Sequence, residues 1–181
     1  MPRNELGEVV PAALFDSPDL RGLIVPQRSY STAVDELLAQ RASSSGLRNV
    51  LATDGGANIL RMLKLRRGDY TLEYDFVVNH LLARTPELRG AAHEFTLLPM
   101  AGAQPFPVGM ACPHAPWGRQ MIGRIDAALT RIASQQTYQE ALLHWMTPES
   151  AKRYNRALTD FMQQRAKPTP QGKYPPWPSV R

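Results

Sequence analysis

The residues best equipped for chemistry in this 181-residue chain fall in three short stretches, two just after apolar runs and the third just after a helical pattern. Gln27-Arg28-Ser29-Tyr30-Ser31-Thr32 sets four hydroxyls and a guanidinium at the start of a helical pattern. Hydroxyls and backbone N–H groups at a helix start suit a carboxylate or phosphate, and Arg28 adds a charged donor. Capping alone would use only one of these hydroxyls, so both readings stand. Thr53-Asp54-Gly55-Gly56-Ala57-Asn58 opens a second helical pattern in the same way. Its glycines lack phosphate-loop spacing and could serve the turn alone. Arg66-Arg67-Gly68-Asp69-Tyr70 is followed by Glu73 and Asp75. Asp69 reads as a turn residue, while Glu73 and Asp75, two apart, are expected on one strand face, where paired carboxylates could do acid–base work.

Other chemistry has less support. No G-x-S-x-G elbow, Walker loop, H-E-x-x-H pair or dinucleotide fingerprint occurs, so catalysis is not expected. His80, His93, His114 and His144 are far apart, and Cys112-Pro113-His114 alone brings two ligand types together. A small thiol beside a turn explains it without a metal. No cofactor is expected. With Cys112 the lone cysteine, no intrachain disulfide forms.

These loops need elements to position them. Gly22–Val25 is a short apolar run stopped by Pro26, followed by a helix through Ala33–Ala39. Asn49–Ala52 precedes a helix carrying Ile59, Leu60, Leu63 and Leu65, with Gly68 expected to close it as a C′ glycine. Asp69–Tyr74 alternates as a third strand ahead of a helix over Phe76–Ala83. Phe95–Met100 and Pro107–Cys112 are a fourth and a fifth strand, their prolines favouring edges. Successive strand–helix units predict an α/β fold with an open, largely parallel sheet of about five strands. Residues 1–20, polar and broken by proline, read as a lead-in rather than a packed element. The α/β lobe is then expected over 21–104, a return strand and C-terminal helices over 105–166, and a proline-rich tail over 167–181. The helices over about 117–132, 137–146 and 148–165 include an apolar stripe of Met121, Ile122, Ile125, Leu129 and Ile132.

Composition narrows the function classes. The content is 43% hydrophobic and 20% charged, as in globular chains, and no stretch approaches a membrane span of about 20 apolar residues. The net charge of +5 is spread along the chain without a basic block, so no nucleic-acid surface is expected. The amino terminus lacks the basic region and apolar run of an export signal.

The order of these pieces carries a family likeness. Ile24–Thr32, then Arg61-Met62-Leu63 through Gly68-Asp69-Tyr70, then Val108–Cys112, Trp117–Ile132 and Tyr138–Trp145 resemble the latter part of the extracellular solute-binding proteins of family 3, the amino-acid type of type II periplasmic binding protein. The likeness spans about two thirds of the chain. It implies the second of two α/β lobes that close on a small solute, a periplasmic location, membrane transporter subunits as partners, and no cofactor or chemistry. It also implies that Ser31 and Thr32 meet a carboxylate or similar anion and that Asp69 meets an amino group. The first lobe, which supplies the family's aromatic clamp and carboxylate-binding arginine, has no counterpart upstream of residue 20. The expected ligand-binding residues are Arg28, Ser29, Tyr30, Ser31, Thr32, Asp54, Asp69 and Glu73, with weak binding or none from half a cleft. Without a first lobe to cover it, the apolar stripe is expected to fold back on residues 22–100 or to pair with a second copy, making a homo-oligomer. Two alternatives are a small hydrolase or transferase using Asp69, Glu73 and His80, and a non-catalytic interaction protein that self-associates through its C-terminal helices or engages a partner through its tail.

Overall fold

The computed structural model describes residues 1–26, 28–41, 46–103 and 109–167. The chain divides into two compact units, 1–104 and 105–181. In the first, three short parallel strands, β1 (Gly22–Ile24), β2 (Leu47–Asn49) and β3 (Tyr70–Thr71), form one sheet in the order β2-β1-β3. The chain therefore leaves β1 outward to β2, then returns across β1 to β3. With right-handed crossovers, the two connecting helices must lie on opposite faces of the sheet.

The packing agrees with that topology. One cluster joins Ile24, Tyr70 and Leu72 to Val34, with Leu37 and Leu38 packed against it, all three from α2 (Thr32–Gln40). The other joins Ala57 and Leu60 of α3 (Ala57–Lys64) to Val78 and Leu81 of α4 (Asp75–Arg84) and to Leu88. All three residues of β1 are buried, as befits a central strand covered on both faces.

Several expectations need correction. The class is α/β with an open parallel sheet, but with three strands among the described residues rather than about five. The run at 95–100 is reduced to a single bridge, Met100 parallel to Val9, flanked by Pro99, which has no N–H to donate. Residues 109–112 have no strand, and 104–108 lie outside the described residues. Strand β3 stops at Thr71 and Asp75 opens α4, so Glu73 and Asp75 do not share a strand face. Residues 1–20 are packed: α1 (Pro11–Phe15) buries Leu14 and Phe15, and Val9 joins the same cluster.

Gly68 does not close α3. That helix ends in a Schellman motif, the Arg67 N–H donating to Met62 O and the Arg66 N–H to Leu63 O, with Arg66 in the left-handed region at φ 54°. Gly68 answers to a different constraint. A Cβ there would lie 2.4 Å from the Leu23 Cγ, so the chain can enter β3 against the central strand only without a side chain.

In the second unit, α5 (Pro116–Ile132), α6 (Gln136–Leu143) and α7 (Pro148–Arg165) follow one another. Arg165 ties α7 to α5 through Asp126 Oδ1 at 2.6 Å and the Thr130 hydroxyl at 3.4 Å. Gly118 and Ala133 are its only buried residues among those described, and the stripe from Met121 to Ile132 is half-buried.

Candidate functional site

In an open parallel sheet, the crevice opens beyond the carboxyl ends of the strands where the strand order reverses. Here that point lies between β1 and β3. Arg28 follows β1, Glu73 follows β3, and the two side chains close across the gap. Arg28 Nη1 donates to Glu73 Oε2 at 2.6 Å and Nη2 to Oε1 at 2.5 Å, a fork-to-fork pair. The Glu73 side chain is 8% exposed and that of Arg28 25%. Burial pushes the Glu73 carboxyl above its ordinary value, and the Tyr74 N–H and Arg28 pull against that without cancelling it. The β2 loop reaches the same place, since a Cβ at Gly56 would lie 3.8 Å from Glu73 Oε2.

Two rings extend the cluster. The Arg28 Cζ lies 5.6 Å from the centroid of the Tyr74 ring, within cation–π range. Tyr74 stacks on Phe76, with centroids 5.3 Å apart and planes 15° from parallel.

The loop after β1 is held from within. Asp35, in the first turn of α2, accepts from the Ser29 hydroxyl at 2.6 Å and the Tyr30 N–H at 2.9 Å. Ser31 is the N-cap, its Oγ accepting from the Val34 N–H at 3.4 Å. Thr32 is exposed at the first helical position, where it and Ala33 have N–H groups without an intrahelical acceptor. The Tyr30 ring belongs to the core, its hydroxyl buried near the Val25 backbone without a full hydrogen bond.

The structure thus brings Arg28, Ser29, Tyr30, Ser31, Thr32 and Glu73 to one edge of the sheet. Asp54 also follows a strand, but its carboxylate caps α3 through the Asn58 N–H at 2.8 Å and pairs with Arg61, which in turn holds Glu87. Arg61 keeps the Asp54 carboxyl below its usual range. Asp69 is at the other edge. It precedes β3 and accepts from the backbone N–H and guanidinium of Arg21, which precedes β1, at 2.8 and 2.9 Å. Those bonds hold its carboxyl low. Three residues, the first two of them strand β3, lie between Asp69 and Glu73, four steps of roughly 3.3 Å or about 13 Å along the chain. Asp69 and Glu73 are therefore not assembled as an acid–base pair, and His80 lies exposed on α4. Among the described residues no cluster of three His, Cys, Asp or Glu could hold a metal ion, and no helix is long and apolar enough to cross a membrane.

Sequence reasoning passed over three contributors. Asp35 carries a faint signal, an acidic residue in the first turn of a helix. Tyr74 and Phe76 alternate in the sequence, but their stacking depends on where α4 begins. No protein family, curated protein or solved structure matches the chain.

Proposed function

We propose that the chain is a non-catalytic solute-binding module of a transport system. It takes a small polar solute, such as an amino acid or carboxylate, at the carboxyl ends of β1 and β3, and acts with membrane transporter subunits in the periplasm. One observation carries this reading: the Arg28–Glu73 pair spans the point where the strand order reverses. Of the five guanidinium N–H groups, two serve Glu73 and three remain for a ligand. The Thr32 and Ala33 N–H groups at the start of α2 add to the attraction for an anion. Affinity near millimolar, about −4 kcal/mol, is expected from one lobe. Calorimetry with amino acids and small carboxylates tests the reading. Binding should be lost in Arg28→Ala and weakened in Ser31→Ala, and binding that survives both would overturn it.

A second reading, self-association through the C-terminal helices, is favoured by the second unit. Among its described residues only Gly118 and Ala133 are buried, and its helices carry apolar residues that are half-buried or exposed, Trp117 and Phe161 among the latter, less core than an independent helical unit needs. A light-scattering mass of one chain across a hundredfold range of concentration would dismiss it.

A further inference from the structure

Phe76 is 42% exposed although one face of its ring is covered by Tyr74. The wet surface is therefore the opposite face and the edges of a ring already held parallel to its neighbour. Tyr74 in turn lies under Arg28, so a guanidinium and two rings follow one another in contact at the carboxyl edge of the sheet. Steps of 5.6 and 5.3 Å put the Phe76 ring within about 11 Å of the Arg28 Cζ. An arylalkyl acid matches that span, its carboxylate on Arg28 and its ring, two or three bonds further on, against Phe76. A fixed ring offers its face at little entropic cost, because its own rotamer is already restrained by stacking.

We propose that Phe76 and Tyr74 form a π platform and that the solute is an aromatic carboxylic acid whose ring is separated from its carboxylate by a short chain. This rests on the binding reading above and narrows its ligand class. The test compares 3-phenylpropionate with 3-cyclohexylpropionate, equal in charge and chain length, by titrating the full-length 15N-labelled chain and following amide shifts. The expected result is that phenylpropionate binds about threefold to tenfold more tightly, and that Phe76→Leu, apolar but without a π face, brings the two to equal affinity. Equal affinities in the wild-type chain would overturn the platform and leave the carboxylate site standing. Binding of neither probe would overturn both. A preference that persists in Phe76→Leu would place the ring elsewhere and overturn the assignment. Should Phe76→Leu fail to fold, the wild-type comparison still decides.

Discussion

Gly68→Ala is a change of one methyl group whose sign depends on a single contact. Where the backbone permits it, Gly→Ala stabilises by about 0.4–1 kcal/mol through the unfolded chain, and Gly68 is not in the left-handed region. The opposing term is steric. The new Cβ would sit 2.4 Å from the Leu23 Cγ and 2.8 Å from each of its methyl carbons, about 1 Å inside ordinary contact. Leu23 is 0% exposed in the middle strand, enclosed by protein on every side, so the clash falls on the core and not on solvent. Overpacking of this kind costs about 1–3 kcal/mol, so the clash wins. For a unit of about 100 residues that is roughly 5–20 °C in melting temperature. Urea unfolding at pH 7 followed by circular dichroism measures it, and a double-mutant cycle identifies the cause. Leu23→Ala alone should cost about 2–5 kcal/mol. In that background the atoms the methyl would strike are gone, so Gly68→Ala should cost less than about 0.5 kcal/mol, a coupling of 1–3 kcal/mol. A Gly68→Ala chain as stable as wild type, or additive costs, would refute the account.

Three further outcomes follow from the same contacts. Arg66→Gly should stabilise by about 0.5–1 kcal/mol, because Arg66 holds a left-handed conformation that glycine adopts without strain and its backbone bonds are retained; a loss of stability in urea would contradict this. Arg28→Ala should cost on the order of 2 kcal/mol at neutral pH. Its deficit should shrink toward pH 5, since burial already raises the Glu73 carboxyl and losing Arg28 raises it further, so the folded state regains stability as Glu73 protonates; a deficit equal at pH 5 and pH 8 would rule the pair out as its cause. Asp69→Asn should cost about 1 kcal/mol or less, Asp69 being partly exposed. Arg21 lowers its pKa, so this contribution is present at neutral pH and fades only below the usual carboxylate range; a pH-unfolding series on both chains checks it.

What could be read from the sequence was what local patterning controls. The apolar run at Gly22–Ile24, a hydroxyl cap from Ser31 or Thr32, which the structure gives to Ser31, and the helices starting near residues 32, 57, 116 and 148 follow from periodicity and cap chemistry. What could not be read depends on the order of strands. Once β1 is central, Arg28 and Glu73 become neighbours although 45 residues apart, and Asp69 is carried to the opposite edge, where Arg21 is its partner. Gly68 stands just after a helix and so looked like a cap, but the constraint on it comes from Leu23, a contact invisible to any local pattern. Strand β2 lies at 47–49 rather than 49–52 because its register is set by pairing with β1, Leu23 opposite Arg48.

The Arg28–Glu73 pair has two opposed consequences for binding. It fixes the guanidinium at the carboxyl ends of β1 and β3, which lowers the entropic cost of meeting a ligand, but it also places a carboxylate about 4 Å or less from the charge an anion would seek. At an effective dielectric between that of surface and bulk, repulsion from Glu73 amounts to about 1–3 kcal/mol for an anion bound to Arg28. The charge pair should therefore hold affinity down. Glu73→Gln removes the charge and keeps an oxygen that can still orient Arg28, so small carboxylates should bind about tenfold more tightly, read by calorimetry at pH 7. The gain should be absent in Glu73→Gln combined with Arg28→Ala, which keeps the neutral side chain but not the guanidinium. No gain from Glu73→Gln alone would mean that the anion does not sit on Arg28, and the site would then have to be sought nearer the Thr32 and Ala33 N–H groups at the start of α2.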